Sequence, residues 1–238
     1  GFQPYSKLIL PVITKHISHF SKDIRKKALK TFQYILIAEG EPNNLKVFKD
    51  IYNQLGMGLF MANGKGDVKN LKLIFKELFH CMRIISQNKE PQNQRFFENE
   101  NQMNSFGQLM AKCLQTVQKK SEELLKDKVD KNQNGQIDEE DEDEIKEELY
   151  KISGCATYVN ECCDIIMSTY KHECKAMIDA NVKFYFGKVL QDFRTVSERE
   201  LQDATYFFLQ FVCKCDHSDP MLIYDLCNQY CDITQWSE

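Results

Sequence analysis

Glycine and proline are scarce in this chain, with ten Gly and five Pro among 238 residues. An all-β fold needs turn residues at short, regular intervals, so this scarcity argues against one. No apolar run reaches the length of about 18 residues that a membrane-crossing helix requires, and no basic-then-apolar leader stands at the amino terminus. The catalytic signatures G-x-S-x-G and H-E-x-x-H are missing, as is a phosphate-binding glycine loop. His172-Glu173-Cys174 is a tripeptide inside a helical pattern and makes no triad. An enzyme is therefore not expected, and no cofactor is implied. The chain opens on Gly1 and stops shortly after Trp236. Both ends read as cuts, which suggests a fragment of a longer protein.

Helical periodicity is abundant. Apolar residues at Leu8, Ile9, Val12, Ile13, Ile17 and Phe20 predict one amphipathic helix over Leu8–Phe20. Ala28, Phe32, Ile35 and Leu36 share a stripe on a second, over Asp23–Leu36. Gly40-Glu41-Pro42-Asn43-Asn44 is a turn, and a helix follows from Leu45 to Met61. After the turn Asn63–Asp67, with Asp67 as N-cap, comes the most regular stripe: Val68, Leu71, Phe75, Leu78, Met82 and Ile85. Asn88–Asn101 reads as a polar loop in which Phe96 and Phe97 must nonetheless pack. Met103, Phe106, Met110, Cys113, Val117 and Leu124 mark a long helix towards Val129. Another runs from Ile145 to Tyr170, and three more are expected at Cys174–Asp192, from Ser197 with Glu200 as its capping-box partner, and from Asp219-Pro220. About nine helices result. An early proline, then Asp-apolar-Arg and a small alanine, is the pattern of a HEAT-type helical hairpin, which needs stacked neighbours to bury its apolar face. The expected architecture is an all-α solenoid of antiparallel helix pairs, one domain over 1–238 with an acidic insertion at 130–144.

Ten cysteines in a chain with ample core and no secretory leader read as reduced thiols. Cys81, Cys113, Cys163 and Cys213 lie on or beside apolar stripes, where a free thiol packs as a small hydrophobe. Cys213, Cys215, His217, Cys227 and Cys231 raise a zinc site, but the spacing lacks paired knuckles on loops. No metal site is predicted there. His16 and His19 share a helix face without a carboxylate or cysteine to complete a site.

Charge is unevenly spread. The net formal charge is −4, yet Asp138–Glu148 holds nine carboxylates and one lysine. Lys22, Arg25, Lys26, Lys27 and Lys30 form a basic face, short of a nucleic-acid footprint. Asp130–Asp141 follows the order of a calcium loop: oxygen ligands at positions one, three, five and nine, glycine at six and isoleucine at eight. Position twelve is Asp141 rather than the longer bidentate glutamate, and no second loop pairs with it. The bland reading is an acidic insertion between two helices, with a calcium-modulated module as the rival. The carboxylates Asp138, Glu139, Glu140, Asp141, Glu142, Asp143 and Glu144 are the candidate contact for a basic partner.

Leu8-Ile9-Leu10-Pro11 with Asp23-Ile24-Arg25-Lys26-Lys27-Ala28, and the long helix Phe106–Val129 leading into the acidic run, resemble the importin-β (karyopherin-β) family of nuclear transport receptors. Glu147-Glu148-Leu149-Tyr150-Lys151-Ile152-Ser153, Asp164–Lys171, Ser197–Cys215 and Asp219–Tyr230 continue in matching hairpin order. The calcium-like wording of the insert departs from that family's plainer acidic run. The resemblance implies a superhelical receptor that binds the Ran GTPase in its GTP form, basic cargo proteins and phenylalanine-glycine nucleoporins. It implies residence in cytoplasm and nucleus, with release driven by GTPase exchange. A HEAT scaffold subunit of another complex is the remaining alternative.

Overall fold

The computed structural model describes residues 3–133, 139–174 and Met177. Among them every regular element is helical: α1 (Gln3–Thr14), α2 (Lys22–Glu39), α3 (Asn43–Gly64), α4 (Val68–Ser86), α5 (Glu100–Gln133) and α6 (Glu139–Tyr170), with 3-10 turns at Pro91–Gln94 and Lys171–Cys174. These six answer the first six of the nine expected. The three expected after Cys174, and the cysteine and histidine set from Cys213 to Cys231, lie outside the described residues.

Local chemistry sets the ends of these elements. Gly40 closes α2 with φ of 64°, a left-handed conformation that glycine adopts without a Cβ penalty, and its N–H reaches the Leu36 carbonyl at 3.2 Å. Gly66, also at φ 64°, turns the chain between α3 and α4. The Asp67 carboxylate then accepts the Asn70 N–H at 3.0 Å, the N-cap that the sequence predicts. Glu41 braces the next corner by accepting from the N–H groups of Lys89 and Glu90 and from Asn93 Nδ2 at 2.9 Å. Beside it, Asn44 and Asn88 exchange two buried amide hydrogen bonds of 2.9 and 3.0 Å, tying the start of α3 to the end of α4.

The stripe of α4 is buried at all six expected positions, as are Ala28, Phe32, Ile35 and Leu36 of α2. Phe96 and Phe97 do pack, in an aromatic cluster with Phe48, Tyr52, Phe106 and Tyr170. The Phe97 N–H donates to Tyr170 Oη at 2.6 Å. Helix α1 differs from expectation. It ends at Thr14, and Leu8, Val12 and Phe20 are 70%, 57% and 90% exposed. Leu10, Ile13 and Ile17 carry its burial instead, because they are the positions that meet the neighbouring helices. Arg25 leaves the basic face: its Nη1 donates to the carbonyls of His19 and Phe20 at 2.7 and 2.9 Å and closes the α1–α2 corner.

Packing follows chain order. Each odd-numbered helix packs on the even-numbered helix after it; α1, α3 and α5 contact in series, and so do α2, α4 and α6. Helix α4 touches α2, α3, α5 and α6, with its largest contact on α6. Helices α3 and α5 run parallel, since Tyr52 meets Phe106 at 5.5 Å and Thr116 Oγ1 donates to Asn63 Oδ1 at 2.7 Å. Because α3 stops at Gly64, the α5 segment Thr116–Gln133 continues past it for about 26 Å at 1.5 Å per residue. Helix α6 returns alongside, and Glu148 pairs with Lys69 at 2.8 Å near the start of α4. The result is a helical arm that outruns the α3–α4 hairpin.

Candidate functional sites: an acidic arm and a basic cleft

The acidic run stands at the end of this arm. The sequence places an insertion at 130–144, but α5 is described through Gln133 and α6 from Glu139, so 130–133 and 139–144 are helix. Glu139, Glu140, Asp141, Glu142, Asp143 and Glu144 occupy the first turns of α6, while Asp138 lies outside the described residues. Asp143 and Glu144 are exposed.

The calcium-like order meets a helical backbone at its start. Asp130 and Asn132, positions one and three of the loop, lie two residues apart on α5. That separates them by about 200° around the helix axis rather than side by side. Asn134, Gly135 and Asp138 are outside the described residues. No group of three or more His, Cys, Asp or Glu side chains with metal-binding geometry occurs among the described residues. His16 and His19 stand 6.0 Å apart, and His19 Nδ1 accepts the Ser21 N–H at 3.1 Å, a structural use at the α1–α2 corner.

A second feature lies between α2 and α4. Helices α2 and α4 flank a cleft of about 460 Å³ lined by Lys26, Leu29, Lys30 and Gln33 from α2 and by Leu73, Lys76, Glu77 and His80 from α4. The spacing follows from helical periodicity, since 26, 30 and 33 share one face of α2 as 73, 76, 77 and 80 share one face of α4. Lys30 and Lys76 sit 5.8 Å from the rings of Tyr34 and Tyr158. Glu77 forms the floor and is 5% exposed. Its Oε2 accepts from Gln33 Nε2 at 3.1 Å, and Cys81 Sγ lies 3.8 Å from Oε1. Burial pushes the Glu77 carboxyl up to about 7, outweighing the Gln33 and Cys81 hydrogen bonds and the nearby Lys76 and Lys30. His80 is shifted the other way, below its ordinary value, by burial first and then by Lys76 and Arg83.

Sequence reasoning found the α2 lysines but missed this cleft. The available signal was Glu77 itself, which shares the core register of Ile74, Leu78 and Cys81 on α4. Among the described residues, Cys81, Cys113, Cys155, Cys162, Cys163 and Cys174 are buried and form no disulfide, as expected of reduced thiols. Burial raises the Cys113 thiol to about 12 and lifts Cys81, Cys155, Cys162 and Cys163 as well, which makes them poor nucleophiles. No protein-family model matches the chain, and no curated protein matches it.

Proposed function

We propose that this chain is a segment of an α-solenoid that binds other proteins, working as a nuclear transport receptor of the importin-β kind. The observation that carries the solenoid reading is the strictly sequential packing of α1 to α6, in two series of alternate helices. Such stacking is how HEAT-type hairpins bury faces that no single hairpin can cover. The finer reading rests on the sequence resemblance and on the arm that presents the carboxylates Glu139–Glu144. In this reading the arm contacts Ran in its GTP form or a basic cargo segment, drawn in by long-range attraction. Nucleoporin phenylalanines would insert between helices elsewhere on the stack.

The test immobilises the chain and passes over it Ran loaded with a non-hydrolysable GTP analogue, Ran with GDP, and a lysine-rich cargo peptide. Binding that prefers the GTP form, and weakens when Glu139–Glu144 are changed to their amides, supports the reading. Equal response to both nucleotide forms, together with no binding of the basic peptide, would sink it and leave a scaffold of another complex.

A further inference from the structure

We propose that the cleft between α2 and α4 is a docking site for an acidic segment of a partner protein, with the partner's carboxylates pairing to Lys26, Lys30 and Lys76. Two helices bring these three lysines into the lining of one cleft. Among the described residues, none of the three joins an ion pair. The cleft's own carboxyl, Glu77, is buried on the floor and already accepts from Gln33. Desolvation favours its protonated form, so it neutralises little of the lysine charge at the rim. Leu29 and Leu73 add apolar wall between the charges, which suits a peptide that alternates acidic and apolar side chains.

The chemistry favours a peptide over a nucleic acid. Single-stranded nucleic acids bind through aromatic faces on which bases stack, combined with a continuous basic track. Here the nearby rings of Tyr34 and Tyr158 already carry Lys30 and Lys76. The charge sign also separates this surface from the acidic arm, whose carboxylates suit basic partners in the transport reading. This inference therefore stands whether or not the transport reading holds.

The experiment titrates the whole chain into a short fluorescein-labelled peptide of glutamate with interspersed leucine, read by anisotropy. A lysine-for-glutamate peptide and a labelled oligothymidylate serve as competing probes. Saturable binding of the acidic peptide is expected. Changing Lys26, Lys30 and Lys76 together to Gln should weaken it at least about tenfold, as expected for loss of paired interface charges. The same changes at the exposed Lys46, Lys65 and Lys119 should cost less than about twofold, the range of rim charges far from the contact. Circular dichroism checks that both triple variants fold, and single Lys→Gln variants replace a triple that does not. No saturation at millimolar peptide overturns the proposal. So does an equal loss in both triples, which would mark a net-charge effect, and so does tighter oligothymidylate binding through the same three lysines.

Discussion

Replacing Glu77 by Gln should stabilise the protein above neutral pH and leave it nearly unchanged in acid. In the folded state burial holds the carboxyl at about 7, against an ordinary value of 4.5. A folded pKa above the unfolded one means that the native state prefers the proton. The carboxyl's full contribution to stability is therefore present below pH 4.5 and is lost as pH rises through 7. The gap corresponds to roughly 3 kcal/mol at about 1.36 kcal/mol per pKa unit. Exposure of only 5% means that solvent screening removes little of it. A glutamine side chain has the same shape, can still accept from Gln33, and stays neutral at every pH. Urea unfolding of both proteins at several pH values, followed by circular dichroism, measures the difference directly. The Glu77→Gln variant should match the wild type near pH 4.5 and exceed it by up to about 3 kcal/mol above pH 8, with similar denaturant slopes. Parallel stability profiles across the range would refute the reasoning, because they would mean that Glu77 ionises in the fold without penalty.

Two further substitutions probe the packing. Tyr170→Phe keeps the ring in the aromatic cluster but leaves the buried Phe97 N–H without its acceptor, so it should cost about 1–3 kcal/mol by urea midpoint. A loss well under about 1 kcal/mol would show that this hydrogen bond is dispensable. At Gly107 a Cβ would collide with Met177 Cγ and lie 3.1 Å from the Met177 carbonyl oxygen. Gly107→Ala should therefore lower the unfolding midpoint despite alanine's advantage of about 1 kcal/mol in a helix. Adding Met177→Ala should recover part of the loss in a double-mutant cycle, and a net stabilisation by Gly107→Ala alone would contradict the predicted clash.

The helices were legible wherever apolar spacing met a capping residue. On α4 both signals agree, from Asp67 through Ile85, and the structure buries the whole stripe. On α1 the pattern names too many core positions. A periodic stripe says which residues are apolar, whereas burial depends on which neighbours arrive, and they cover Leu10, Ile13 and Ile17 but not Leu8, Val12 or Phe20. The acidic run was legible as charge but not as helix. Like-charge repulsion argues against helix there, yet packing against the neighbouring α5 favours it. The cleft was hidden for another reason. Lys26, Lys30 and Lys76 come from separate helices, and only the α2–α4 packing brings them into the lining of one cleft.

The arm formed by α5 and α6 is also a lever. Its fulcrum lies where Thr116 holds Asn63 and Lys69 holds Glu148, two polar contacts at the edge of the packed helices. Beyond them, Glu139–Glu144 lie four to nine residues from Glu148 on α6, about 6–14 Å at 1.5 Å per residue, so a tilt of about 10° at the base carries them sideways by about 1–2 Å. A small repacking near α4 would thus shift the α6 backbone at Glu139–Glu144 while leaving the buried core of α2, α3 and α4 in place.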